Sequence, residues 1–489
     1  MTSARAAAGG ETEAPSDPAR PSSPSALNRT IAVVITGSVM SVLDMTIVNV
    51  ALRSLSDAFH APLETIQWTV TAYTLALAAV IPTAAWVMAR IGAKRAYLTA
   101  LVLFTLGSLL AACAWDAGSL IAFRVVQGFG GGLLMPVGMT MVMRIADPAR
   151  MGRAMALFGL PVLVGPVAGP VLGGWLLDAA SWRWIFLVNL PVGAVALVLA
   201  AKLLTRDAPG EARSAQSPPP PGLDVPGLLM LSPGLALLLF GLARAGEHGD
   251  FAGADALAPT LAGVALVAAF VRRALTASGP LLDLRLLRDR TFAAGIGTLA
   301  LFTCGYFGSM LLGPVYWQQE RGLSATATGL LGAPVGLAVG ATMQLAARRI
   351  DRVSPRPLIQ AGIVVGSLGM ALTALQIGTE GVAPWRLVAS SMVMGVGAGT
   401  VLMPTMTTAT RDLPKSRMAA AGTALSISQQ LCASVGTALT SVILGSAGPD
   451  PTSFRAPYAA AATALALALL PATLLPGRRR APRYPRPGD

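Results

Sequence analysis

The chain predicts an all-α polytopic membrane protein with fourteen transmembrane helices. Three observations carry that prediction. Of 489 residues, 54% are hydrophobic and only 12% charged, more apolar surface than a soluble protein of this size could bury. Apolar runs of about 20 residues, each long enough to cross about 30 Å of hydrocarbon as a helix, recur along nearly the whole sequence. Lysine and arginine fall almost entirely into every second loop.

Residues 1–29 form a Pro/Ser/Ala-rich polar tail without an apolar stretch, which reads as a disordered cytoplasmic end and not as a cleavable signal. The first bundle, 30–204, holds helices expected at 30–52, 67–89, 97–115, 119–143, 153–177 and 184–204. Region 205–290 opens with the linker "GEARSAQSPPPPG", whose proline run cannot continue a helix, and then carries an inserted pair at 225–243 and 255–274. The second bundle, 291–476, holds helices at 292–316, 326–347, 357–377, 385–408, 417–444 and 457–475, followed by a basic cytoplasmic tail, 477–489. Fourteen is even, so both termini share a side.

Charge chooses that side. Of the 36 lysines and arginines, only Arg53, Arg183, Arg244, Arg321, Arg386 and Arg455 fall in the loops opposite the termini, and Arg124 lies within a helix. All the others fall on the terminal side, so the positive-inside rule makes the termini cytoplasmic. One helix more or fewer would scramble the alternation. The net charge of +13 is thus accounted for by topology, with weak attraction to anionic lipid, and its dispersal over many short loops argues against a nucleic-acid partner. Cys113, Cys304 and Cys432 all fall in apolar helices and His60 and His248 in outer loops, so neither a metal site nor a disulfide is expected. The excess of arginine over lysine and the abundant alanine hint at a GC-rich bacterial genome.

The two halves echo each other. "GGLLMP" at 131–136 returns as "GTVLMP" at 399–404, and "ARIGAKRAYL" after the second helix is matched by "RRIDRVSPRPLI" after the tenth. Parallel repeats with a substrate held between them near the membrane midplane are common in secondary transporters.

Depth singles out two residues. Asp44 lies about fourteen residues beyond the cytoplasmic start of its helix, roughly 21 Å in, and Arg124 about six residues from the outer start of its own, roughly 9 Å in. In a core about 30 Å thick those levels coincide. Charges at such depth face a partner or a watery cavity, because ionisation in hydrocarbon costs several kcal/mol. Two readings stay open: a buried pair that pins the first helix to the fourth, or a carboxyl that carries a proton, with burial favouring its neutral form and Arg124 its ionised form. In the fifth helix, "GLPVLVGPVAGPVLGGWLL", Gly165, Gly169 and Gly173 recur every fourth residue and offer a smooth face for close helix approach. Pro166 and Pro170 remove backbone donors and bend it.

Together "LDMTIVNVAL", "RVVQGFGGG", "GPVAGPVLGGW" and "SWRWIFLVNLPVG" resemble the fourteen-helix drug:proton antiporter (EmrB/QacA-like) family of the major facilitator superfamily. "LDVPGLLML" (223–231) and "PLLDLRLLRDRTFAAG" (280–295) resemble the segments flanking that family's extra helix pair, so the likeness covers nearly the whole chain. The resemblance implies a two-bundle fold that exports hydrophobic or cationic drugs against proton entry. It also implies a proton-transfer role for Arg124, Gln127 and Gly128, and an antiport role for Gly165, Pro166, Gly169, Pro170, Gly173 and Gly174. The family's loop between helices two and three departs here: Ala85 and Ala89 stand where a Gly and an Asp are usual, while Arg90, Gly92, Lys94 and Arg95 are kept. The second-half copy keeps Asp351 and Arg352 but has Ser354 for Gly. Those cations serve either topology or gating.

Asn49, Tyr306, Gln429 and Gln430 are polar groups at membrane depth, suited to substrate contact or to interhelical hydrogen bonds. The expectation is a monomeric antiporter for a small amphipathic substrate, working with protons and the lipid bilayer and no cofactor beyond the proton gradient. A symporter for a nutrient on the same fold is the alternative. An enzyme is not expected, since no nucleophile, metal set or acid pair converges at one depth.

Overall fold

The computed structural model describes residues 24–146, 151–204, 224–249, 251–277, 280–350, 353–379, 381–414, 417–446 and 451–477, and among them there are helices and short connections but no strand. The first bundle comprises α1 (Pro24–Phe59), α2 (Leu63–Val80, carried on through a 3₁₀ turn by Ala84–Ile91), α3 (Ala93–Ala112), α4 (Ala117–Ile145), α5 (Met151–Ala179) and α6 (Trp184–Leu203). Between the bundles stand α7 (Val225–His248) and α8 (Ala254–Thr276). The second comprises α9 (Arg290–Val315, extended by a π turn Tyr316–Glu320), α10 (Ala325–Ile350), α11 (Pro355–Gln376), α12 (Pro384–Thr410), α13 (Met418–Ser446) and α14 (Thr452–Ala472). Thirteen of these are long and apolar enough to cross a membrane. The 29-residue α5 fills the remaining place in the order.

Several boundaries differ from the sequence expectation. α1 already begins at Pro24, inside the region expected as tail, where a proline suits the first helical turn. It also runs on to Phe59, so Arg53 sits on a helical turn and not in a loop. α2 is not one uninterrupted helix: Pro82 lacks an N–H, and the chain takes a 3₁₀ turn over Ile81–Thr83. Gly92 alone joins α2 to α3, with φ 85° and ψ 160°, a conformation open essentially to glycine. Lys94 and Arg95 therefore belong to the first turn of α3. Asp351, Arg352, the tail before Pro24, the linker 205–223 and the residues after 477 lie outside the described residues.

The helices alternate between a proximal face, where α1 begins and α14 ends, and a distal face. On the proximal side one apolar cluster runs across both bundles, joining Leu134, Val137, Met143 and Phe158 to Phe292, Met406, Met418 and Leu425. On the distal side the cores separate. Leu55, Ile66, Leu120 and Phe186 pack within the first bundle, and Phe302, Tyr306, Leu312 and Tyr458 within the second. The bundles meet through α5 on α10 and α4 on α13.

The inserted pair closes one flank of that seam, α7 lying against both α2 and α13. Trp68 of α2 stacks on Phe240 of α7 with ring centroids 5.5 Å apart, and Ile81, Leu235 and Ile427 share one cluster. Asp224 clasps the proximal end of the pair. Its Oδ1 accepts from the Gly227 amide at 3.0 Å and from Arg273 Nε and Nη2 at 2.8 Å each, and its Oδ2 from the Leu281 amide at 3.2 Å. Burial pushes the Asp224 carboxyl up, but the Arg273 bond and the two amides outweigh it and hold the group below the usual carboxylate range.

Candidate functional site

Five helices of the first bundle, α1, α2, α3, α4 and α6, converge on Asp44. α4, which brings Arg124, is set at its distal end by a capping box: Asp116 Oδ1 accepts from the Ser119 amide and Ser119 Oγ from the Asp116 amide. The Ser119 amide holds the Asp116 carboxyl below its usual range. Two turns on, the glycine-rich run of α4 lets its neighbours come close: a methyl placed on Gly128 would stand 2.6 Å from the Tyr73 carbonyl, and one on Gly107 of α3 would stand 2.6 Å from the backbone of Gln127. Small residues at these positions are what bring the polar side chains of α2, α3 and α4 to one level.

At that level Arg124 Nη1 donates to Asp44 Oδ2 at 2.6 Å, and both side chains are fully buried. Gln127 Nε2 and Asn189 Nδ2 each donate to Asp44 Oδ1 at 2.8 Å. Gln127 Oε1 accepts from Arg124 Nη1 at 2.6 Å, and Arg124 Nε donates to the Thr69 carbonyl at 3.1 Å. The guanidinium carbon lies 4.1 Å from the Tyr73 ring centroid and 5.8 Å from that of Phe186. Nη2 is buried without a hydrogen-bond partner, and the ring faces take up part of the guanidinium charge. Three charge-assisted donors thus hold a carboxylate in a place closed to solvent.

Asn189 and Ser108 were not singled out by the sequence reading. Asn189 Nδ2 also donates to Ser108 Oγ at 3.0 Å, and Ser108 Oγ to the Phe186 carbonyl at 2.9 Å. A signal for Asn189 was available: it lies five residues into the span Trp184–Leu203 from the distal end, roughly 8 Å deep, the level of Arg124.

The glycines of α5 meet α1. A methyl on Gly165 would fall on Val42, one on Gly169 on Thr46, and one on Gly173 within 3.3 Å of Ile47. Thr46 Oγ1 donates to the Gly165 carbonyl at 3.2 Å. Gly174 is not part of this track, having open space around it. Pro166 and Pro170 lie in the same helix.

A cavity of about 750 Å³ lies in the distal half, lined by α1, α9, α10, α11, α12 and α14. Asn49 and Tyr306 are on its wall with Thr46, Val50, Trp317 and Gln318, and no Asp, Glu, Lys, Arg or His lines it among the described residues. Gln429 and Gln430 do not line this cavity. Gln429 Nε2 lies 3.7 Å from Met406 Sδ, and Gln430 faces Leu235 and Leu239 of α7, because the inserted pair covers that side of α13. At 3.6 residues per turn, Asn49, Thr46 and Val50 stand about 140°, 200° and 240° around α1 from Asp44. The acid and the cavity are therefore on opposite faces of one helix.

In the connection between α2 and α3, Arg90 and Arg95 are exposed. Lys94 Nζ donates to the carbonyls of Ala201 and Leu204 at 2.7 Å each, capping the proximal end of α6.

The Major Facilitator Superfamily model matches residues 34–437. A multidrug resistance protein B homolog of Mycobacterium tuberculosis is 42% identical over 419 residues, 86% of this chain and 76% of that protein. A putative multidrug resistance protein MdtD of Serratia proteamaculans is 32% identical over 417 residues, 85% of this chain and 84% of its own length. Among solved structures, the human organic anion transporter MFSD10 (TETRAN) superposes with a TM-score of 0.64 at 16% identity, over 92% of this chain and 99% of that one. The proton:xylose symporter XylE does so with a TM-score of 0.62 at 15% identity, over 91% and 94%. At such identities the likeness establishes the fold. Helix count, two-bundle packing and these relatives agree: the chain belongs to the major facilitator superfamily of membrane transporters, in its EmrB/QacA-like fourteen-helix family.

Proposed function

We propose that the protein is a proton-driven antiporter of a bacterial cytoplasmic membrane, both termini cytoplasmic, that exports uncharged or weakly charged amphipathic compounds such as antibiotics. The proton gradient is its energy source, and it uses no cofactor. One observation carries this reading: a carboxylate held dry by Arg124, Gln127 and Asn189 on one face of α1, with an apolar cavity against the other face of the same helix.

With the proximal face cytoplasmic, the apolar seam across both bundles shuts the inside while the cavity occupies the outer half. Proton arrival at Asp44 weakens its three bonds. α1 is then free to shift along the Gly165–Gly169–Gly173 track, carrying Thr46, Asn49 and Val50 with it, and the bundles rock to open inward. Release of the proton to the cytoplasm restores the ion pair around the cargo-loaded cavity, and the return swing carries the cargo out. Coupling runs through the helix, so cargo and proton never compete for the same oxygen atoms. The lack of charged side chains on the cavity wall among the described residues suits a cargo without a fixed charge.

Susceptibility profiling in a host stripped of its own pumps tests this, with the parent compared to Asp44→Asn. The expected outcome is raised tolerance to a set of amphipathic compounds with the parent and none with the variant. Parent cells no more tolerant than empty-vector cells would remove drug export from consideration.

A further inference from the structure

Among the described residues, every group that meets the Asp44 carboxylate is a donor: Arg124 Nη1 at Oδ2, and Gln127 Nε2 and Asn189 Nδ2 at Oδ1. That set suits the anion. Once protonated, the group carries an O–H of its own and needs an acceptor where only donors stand. Arg124 has none to offer. Gln127 cannot invert its amide, because its Oε1 takes a 2.6 Å bond from Arg124 and inversion would aim an NH₂ at a cation.

Asn189 is placed differently. Its second partner is Ser108 Oγ at 3.0 Å, a hydroxyl that donates and accepts equally well and now gives its proton to the Phe186 carbonyl at 2.9 Å. If the Asn189 amide turns over, Oδ1 accepts the new O–H of Asp44 and, as Ser108 swings its hydrogen round, the Ser108 O–H as well. The Ser108 bond to the Phe186 carbonyl is given up, and Nδ2 turns to the side where Oδ1 stood. We propose that Asn189, backed by Ser108, is the positioning residue that lets Asp44 hold and release a proton in place, presenting Nδ2 to the carboxylate and Oδ1 to the carboxylic acid.

The inference rests on the reading of Asp44 as the proton site. Among the described residues, the charged or titratable groups facing Asp44 are Arg124 of α4 and Tyr73 of α2, whose hydroxyl is 3.3 Å from Ser41 Oγ. α3 and α6 bring Ser108 and Asn189, and α5 meets α1 through its glycines, so nothing on those helices ionises there.

The test uses the purified full chain, titrated by infrared difference spectroscopy, where the protonated carboxyl of Asp44 is the C=O band that Asp44→Asn removes. Asn189→Leu, which keeps the branching and the number of side-chain heavy atoms, leaves Arg124 and Gln127 to hold the anion and nothing to accept from the acid. Its band midpoint is expected to move to the alkaline side by about one pH unit, a tenfold change in proton concentration, because the charge-assisted bond lost from the anion outweighs the neutral one lost from the acid, and the C=O band itself is expected to rise in frequency as the acid O–H loses its acceptor. Asn189→Asp, nearly isosteric, lets two carboxyls share one proton and is expected to move the midpoint to the alkaline side. A merely structural Asn189 would change yield or thermal stability and leave the midpoint alone. An Asp44-dependent band at an unchanged midpoint in both variants would overturn the inference while leaving Asp44 as the proton site. No Asp44-dependent band in the parent would overturn both.

Discussion

In α4, Arg124 and Gln127 stand seven and four residues before the "GGLLMP" run; in α12, the same steps back from "GTVLMP" reach Met392 and Gly395. The repeated helix has lost both polar groups. Around Arg124 each partner is buried, whereas α12 turns Ser391 and Met394 to a cavity of about 750 Å³. Two bundles with matching sequence runs thus carry different chemistry. The first holds charge without room and the second holds room without charge. α1 is the wall between them, touching Asp44's partners on one face and the void on the other.

The contrast breaks first at the ion pair. Arg124→Leu leaves a buried carboxylate with no counter-charge, a loss of about 3–5 kcal/mol, whereas Asp44→Leu with Arg124→Leu recovers most of it. Thermal unfolding of the purified proteins reads the difference, and a double variant weaker than Arg124→Leu would contradict the pairing. Next comes the glycine track. Gly169→Ala puts a methyl on Thr46 and is expected to cost about 1–3 kcal/mol and most of the transport, while Gly174→Ala, with open space around it, is neutral in both assays.

A smaller effect separates the two regions most cleanly. Asn49→Ala alters the cavity wall alone, so it is expected to change the apparent affinity for the worst-affected compounds about tenfold, or 1.4 kcal/mol, with the pH profile of transport unmoved. A moved profile would place the cavity and the acid in one site. The smallest effect lies outside both. Asp224→Ala removes the cap of α7, worth about 1 kcal/mol. The folded carboxyl is held below the ordinary range, so its contribution is complete above that range and fades as pH falls through the lowered value, beneath about pH 3.9. Amide exchange at Gly227 and Leu281, fast in the variant at neutral pH and in the parent only in acid, checks the sign.

Much of this was legible from pattern. Length and hydropathy fix the spans, and depth along two helices is enough to bring Asp44 and Arg124 to one level. The i, i+4 glycines of α5 announce a helix contact, though Gly174, one residue on from Gly173, is turned about 100° away from it. What resisted reading depends on neighbours. Asn189 is one polar residue among many at membrane depth, and its value comes from Ser108 and Asp44, residues on two other helices. Gln429 and Gln430 look suited to a cavity until α7 is known to cover their helix. Lys94 reads as a loop cation, but a single left-handed glycine before it shortens the loop and turns it into a helix cap.

The central claim is that proton occupancy of Asp44 drives α1 and thereby the cargo. Purified protein in sealed vesicles, supplied with a compound identified by the susceptibility panel, tests it directly. With an imposed pH difference the parent is expected to accumulate the compound, and Asp44→Asn is expected to exchange compound for compound at the parent rate but to accumulate none. Asp44→Asn vesicles that concentrate the compound as the parent does, under the same gradient, would contradict it.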